Sequence, residues 1–109
     1  MRKSVSEVPK TYKELLLYAL AKAVDARLGI LHIGDSHSFA EMVSRYYSAV
    51  VALINIASPH LGNAEELLEK ADRVWEVFGS PGSPRVSKAA RVLDGVLREV
   101  VKEVRGVIE

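Results

Sequence analysis

The chain has 109 residues, no cysteine, and 15 basic against 14 acidic residues for a net charge of +1. That length fits one domain with one core, and the missing thiols exclude a disulfide framework or a thiolate metal site. With 49% hydrophobic and 27% charged residues the composition is globular, and its near-neutral balance speaks against a dedicated polyelectrolyte binder, which carries a marked basic excess.

Residues 1–10 read as a loose polar lead-in with basic residues but no apolar segment of the kind a signal peptide needs. Thr11-Tyr12-Lys13-Glu14 has the form of a capping box, which starts a helix. Tyr12, Leu16, Ala19, Ala23, Ala26, Ile30 and Ile33 then recur every three or four residues, one face of a helix. A second stripe, Leu17, Leu20, Val24, Leu28 and Leu31, lies beside it. An apolar circumference that wide predicts packing on more than one side, and the small alanines predict close approach of a neighbouring helix. Gly34 is a natural stop.

Asp35-Ser36-His37 reads as a turn, and Ser38-Phe39-Ala40-Glu41 as a second capping box. Helix two runs to about Ala57, with Phe39, Val43, Tyr46, Val50, Leu53 and Ala57 on one face and Ala40, Tyr47, Val51 and Ile54 on the next. Ser58-Pro59 ends it, because proline disfavours helical geometry in the preceding residue. So short a connection between helices one and two predicts an antiparallel hairpin. Asn63-Ala64-Glu65-Glu66 opens helix three in the same way, with Leu67, Leu68, Ala71, Val74, Trp75 and Phe78 inward and Glu65, Glu66, Glu69, Asp72 and Glu76 outward, until Gly79. Ser83 at the N-cap and Pro84 at the first helical position start helix four after the Ser80–Pro84 loop. Val86, Ala89, Leu93, Val96, Val100, Val104 and Val107 form its stripe, with Gly95 at mid-helix. These elements predict an all-α fold, an antiparallel four-helix bundle with a shorter third helix, as a single domain over residues 1–109.

Three groups of side chains are candidates for a site. His32, Asp35 and His37 could hold a divalent metal such as zinc. Ordinary turn, cap and helix-end roles account for them, and His60 belongs to the turn at the other end of the hairpin, so no metal site is expected. Lys88, Arg91, Arg98, Lys102 and Arg105 lie on one face of helix four and could track nucleic-acid phosphates. Asp94, Glu99 and Glu103 are interleaved with them. Pairs of Asp94 with Arg91 and Arg98 at helical spacing would make this a solvated face laced with salt bridges. Tyr46 and Tyr47, beside Arg45, could anchor a partner helix or stack on bases.

The longest apolar stretch, Tyr46 to Ala57, is 12 residues, short of the roughly 20 that span a bilayer. A cytoplasmic protein without membrane contact is the expectation. The chain has no glutamine and two asparagines, Asn55 and Asn63, alongside dense charges and aliphatic side chains, a thermophile-like usage. No phosphate-binding glycine loop, zinc-protease motif or nucleophile elbow is present, so neither an enzyme nor a cofactor is expected.

The long first helix, the turn Gly34-Asp35 and the run Arg45-Tyr46-Tyr47-Ser48-Ala49 resemble the HEPN-type helical proteins of archaea and bacteria. The resemblance begins at Tyr12 and extends over most of the chain. It implies a four-helix bundle. Such families include ribonucleases with an arginine and a histidine four to six residues apart, and non-catalytic partners of nucleotidyltransferases. Here the only such pair is Arg27 and His32, in helix one rather than late in the fold, so the resemblance implies the inactive, dimerising members. Small helical subunits of archaeal nucleoprotein complexes, such as CRISPR interference complexes, look similar at the same coarse level. The expectation is a non-enzymatic interaction module, a homo-oligomer or the small subunit of a larger complex. Nucleic-acid binding and a HEPN-like ribonuclease are its alternatives.

Overall fold

The computed structural model describes residues 11–31, 39–79 and 85–108. The lead-in, Gly34, the Asp35–His37 turn, the Ser38 cap and the Ser80–Pro84 loop lie outside the described residues. Among the described residues there are five α-helices: α1 (Tyr12–Leu31), α2 (Phe39–Ala57), α3 (Ala64–Asp72), α4 (Val74–Gly79) and α5 (Arg85–Ile108), with a 3₁₀ turn at Ser58–His60. The expected all-α class holds, with no strand among the described residues.

Thr11 starts α1 as anticipated: the Glu14 N–H donates to its side-chain Oγ1 at 3.1 Å. Leu16, Ala19, Ala23 and Ile30 are buried. The Tyr12 hydroxyl donates to the Ile56 carbonyl at 2.6 Å, and its ring lies 5.4 Å from that of His60. At the other end of α1, a Cβ added to Gly29 would sit 3.8 Å from the Met42 sulfur. The start of α1 therefore meets the end of α2, the end of α1 meets the start of α2, and the two helices run antiparallel. The α2 side of the hairpin contributes Val43, Tyr46, Val50, Leu53, Ile54 and Ala57 to the core. After Ala57 the chain tightens, and the Leu61 N–H returns to the Ser58 carbonyl at 3.0 Å.

The third helix differs from expectation. It is two short helices divided at Arg73, where the hydrogen bonds contract to three-residue spacing: Arg73 N–H to Lys70 O at 3.2 Å and Glu76 N–H to Arg73 O at 3.1 Å. Asn63 precedes α3 but makes no side-chain cap. Its carbonyl accepts from the Leu67 N–H instead, at 2.9 Å. Leu67, Ala71 and Val74 stay buried across the break, so the tightening preserves the inward stripe.

The 24 residues of α5 reach about 36 Å. This helix packs on α1, α2, α3 and α4, through Ala89, Leu93, Val96, Val100 and Val104. The molecule measures only 16 Å between Cα atoms in its thinnest direction, which is two helix layers at 8–10 Å between axes. Gly95 is not required by close packing, since a Cβ there would meet nothing within 4 Å. Gly95→Ala is expected to stabilise the chain by about 1 kcal/mol by restoring helix propensity. Urea unfolding would show it as a higher midpoint, and a lower one would contradict the open space seen over this residue.

Candidate interaction surfaces on the first and last helices

One carboxylate joins three helices. Asp94 Oδ1 on α5 accepts from Arg27 Nε on α1 at 2.8 Å and from the Tyr46 hydroxyl on α2 at 2.6 Å. The Arg27 and Asp94 side chains are 27% and 25% exposed, while Tyr46 is completely buried. Burial, and then the bond to Asp94, hold the Tyr46 hydroxyl well above the ordinary tyrosine range. The same carboxylate raises Arg27.

This arrangement corrects two expectations. Tyr46, read as an interface residue, is fully buried in the core of its own chain. Asp94 does not form a ladder with Arg91 and Arg98; its carboxylate is turned across to α1 and α2. The signal was present in the sequence: on a helical projection Asp94 borders Ala90, Leu97 and Val101 rather than the middle of the charged face. Lys88, Arg91, Arg98, Lys102 and Arg105 are all exposed. Among the described residues none of them has a carboxylate within 4.0 Å, the ion pairs there being Arg27–Asp94 and Arg45–Glu41. The basic face of α5 is thus less neutralised than its interleaved acids suggest.

Tyr47 is half-buried. Its hydroxyl donates to Asp72, which raises its pKa. Its ring meets Trp75 edge-on at 5.3 Å. Of the two tyrosines singled out as interface residues, only Tyr47 reaches the surface.

The largest departure is on α1. Of its second apolar stripe, Leu20 packs partly against the core, while Leu17 is 42%, Val24 43% and Leu28 46% exposed, as is Ala21 between them. The sequence predicts packing on more than one side of α1 and leaves open what covers the second side. Beside the stripe, a groove of about 330 Å³ runs between α1 and α5, walled by Val24, Leu28, Leu97 and Val101, with Tyr46 and Asp94 among its lining. On the opposite flank of the stripe stand Tyr18, with the Lys22 ammonium 5.5 Å over its ring, and Asp25.

Among the described residues no three potential metal ligands cluster; His32, Asp35 and His37 lie outside them. Arg27, the arginine of the Arg27/His32 pair, is bound to Asp94. No described helix is long and apolar enough to cross a membrane. No family model matches the chain, and a match is found neither among curated proteins nor among solved structures.

Proposed function

We propose that the chain is a non-catalytic helical interaction module, acting as a homodimer or as the small subunit of a larger assembly, with the outer face of α1 as its contact surface. The exposure of Leu17, Val24 and Leu28 in one row carries this reading. Single exposed apolar residues are ordinary, whereas a contiguous row beside an apolar groove marks an interaction site. A two-fold dimer is the commonest way to cover such a row.

The test is molar mass by light scattering across 1–100 µM, with Val24→Glu/Leu28→Glu as the interface variant. We expect a dimer for the parent chain, at least a hundredfold weaker association for the variant, and little change in its melting temperature, because both side chains are nearly half exposed in the single chain. A parent chain that stays monomeric throughout removes the homodimer, and only the subunit form of the reading then stands.

A second reading is binding to nucleic acid through Lys88, Arg91, Arg98, Lys102 and Arg105, supported by the absence of ion pairs at these side chains among the described residues. Fluorescence anisotropy with single- and double-stranded RNA and DNA at two salt concentrations tests it. Affinity should fall steeply with salt and drop tenfold or more in Arg98→Glu/Lys102→Glu. No binding at low salt would leave the protein–protein reading alone.

A further inference from the structure

Gly95 stands in the interior of the longest helix, where a glycine weakens helical structure. No neighbour requires the space, since a Cβ built there would meet nothing within 4 Å. What surrounds Gly95 is charge. Arg91 and Arg98 lie one turn to either side of it, and Lys88 and Lys102 two turns to either side. With about 100° between successive residues, all four fall within about 60° of Gly95 around α5, over a length of about 21 Å. We infer that Gly95 is the point where the phosphate backbone of a nucleic-acid duplex comes closest to this protein, in the groove between α5 and the α3–α4 pair. The inference rests on the nucleic-acid reading above and extends its surface across that groove.

The groove has a volume of about 420 Å³, with Val92, Gly95, Val96 and Glu99 on its α5 wall and Lys70, Arg73, Glu76 and Val77 on the other. Lys70 and Arg73, joined by the contracted hydrogen bond at the α3–α4 break, thus bring two more cations to the wall facing Gly95. Among the described residues neither has a carboxylate within 4.0 Å. Two carboxylates line the groove, those of Glu76 and Glu99, and Glu66 and Glu103 each stand one turn beyond its lining. The two nearest aspartates are engaged elsewhere: Asp72 accepts from Tyr47, and Asp94 accepts from Arg27 and Tyr46. Cations therefore outnumber carboxylates around Gly95, although the chain as a whole is nearly neutral.

A bare stretch of helix at the centre of a cationic cluster suits a phosphodiester. The side chains supply the charge, and the missing side chain lets a ligand approach the helix backbone closely. Contacts of this kind position a nucleic acid without reading its bases. No aromatic ring lines the groove among the described residues, so the stacking platform that holds single strands is missing. A duplex, whose bases already stack on one another, needs none.

Fluorescence anisotropy with a labelled duplex of about 20 base pairs and with its single strand, at low and moderate salt, tests the inference. The duplex should bind more tightly than the strand. Lys70→Glu/Arg73→Glu should weaken duplex binding roughly tenfold or more, because two phosphate contacts are lost. Gly95→Leu changes no charge and introduces a good helix former into open space, so its urea midpoint should be no lower than that of the parent chain. Its affinity for the duplex should nevertheless fall roughly tenfold, a loss that attraction to a cationic surface alone would not produce. If either variant, folded by circular dichroism, binds the duplex as the parent does, the Gly95 groove is not the seat, while the nucleic-acid reading stands on Arg98→Glu/Lys102→Glu. Tighter binding of the single strand overturns the duplex as ligand. No binding of either probe at low salt overturns this inference and the nucleic-acid reading together.

Discussion

Replacing Asp94 by alanine should cost the fold about 3 kcal/mol, roughly a third of the stability of a domain this size. The loss has two parts. The buried Tyr46 hydroxyl would be left without an acceptor, a penalty of about 1–3 kcal/mol. Arg27 would also lose its carboxylate, a smaller effect because solvent still reaches a quarter of that side chain. Urea unfolding monitored by circular dichroism measures the sum, and for about 100 residues a melting temperature lower by roughly 12–24 °C would accompany it. Asp94→Asn separates the parts, since the amide oxygen can still accept from Tyr46 while the ion pair is gone, and it should cost clearly less. A loss below about 1 kcal/mol in Asp94→Ala would mean that the three-helix junction contributes no more than a surface pair.

The same junction makes stability fall in alkali. The Tyr46 hydroxyl is held above its ordinary pKa by burial and by Asp94, so the folded chain keeps this proton more tightly than the unfolded one. Its contribution is complete below the unfolded value near pH 10 and is lost as pH rises beyond it, by up to about 1.4 kcal/mol per pH unit. Between pH 10 and pH 12 the parent chain should therefore lose about 2 kcal/mol more than Tyr46→Phe. Tyr47 is raised as well, but both proteins contain it, so the difference isolates Tyr46. Tyr46→Phe should be the less stable protein at pH 8, and the gap should close or reverse by pH 12. Parallel urea midpoints across that range would show a hydroxyl that ionises freely within the fold.

Much of the architecture was legible because helices announce themselves through spacing. The row Leu16, Ala19, Ala23 and Ile30 became the buried side of α1, the Thr11 cap formed, and Ser58-Pro59 marked the end of α2. The interruption at Arg73 was not legible, because no glycine or proline stands there and the inward residues keep helical spacing across it. Charge was harder to read than hydrophobicity. Asp94 has arginines at i−3 and i+4 on its own helix, yet it binds an arginine from another helix, because only that direction also satisfies a buried tyrosine. The α1 stripe shows a different limit. Its width predicts packing on more than one side, yet among the described residues Leu17, Val24 and Leu28 stay exposed. A sequence shows that a surface is suited to burial without showing which molecule buries it.

The Asp94 junction also sets an order of events during synthesis. Tyr46 precedes its acceptor by 48 residues and Arg27 precedes it by 67. On the ribosome the α1–α2 hairpin is therefore complete while the carboxylate that serves both helices has yet to be made. Until then water is the available partner for the tyrosine hydroxyl and the guanidinium. Docking of α5 then displaces this water and supplies the missing acceptor in a single step, so the last long helix to emerge is the one that locks the first two.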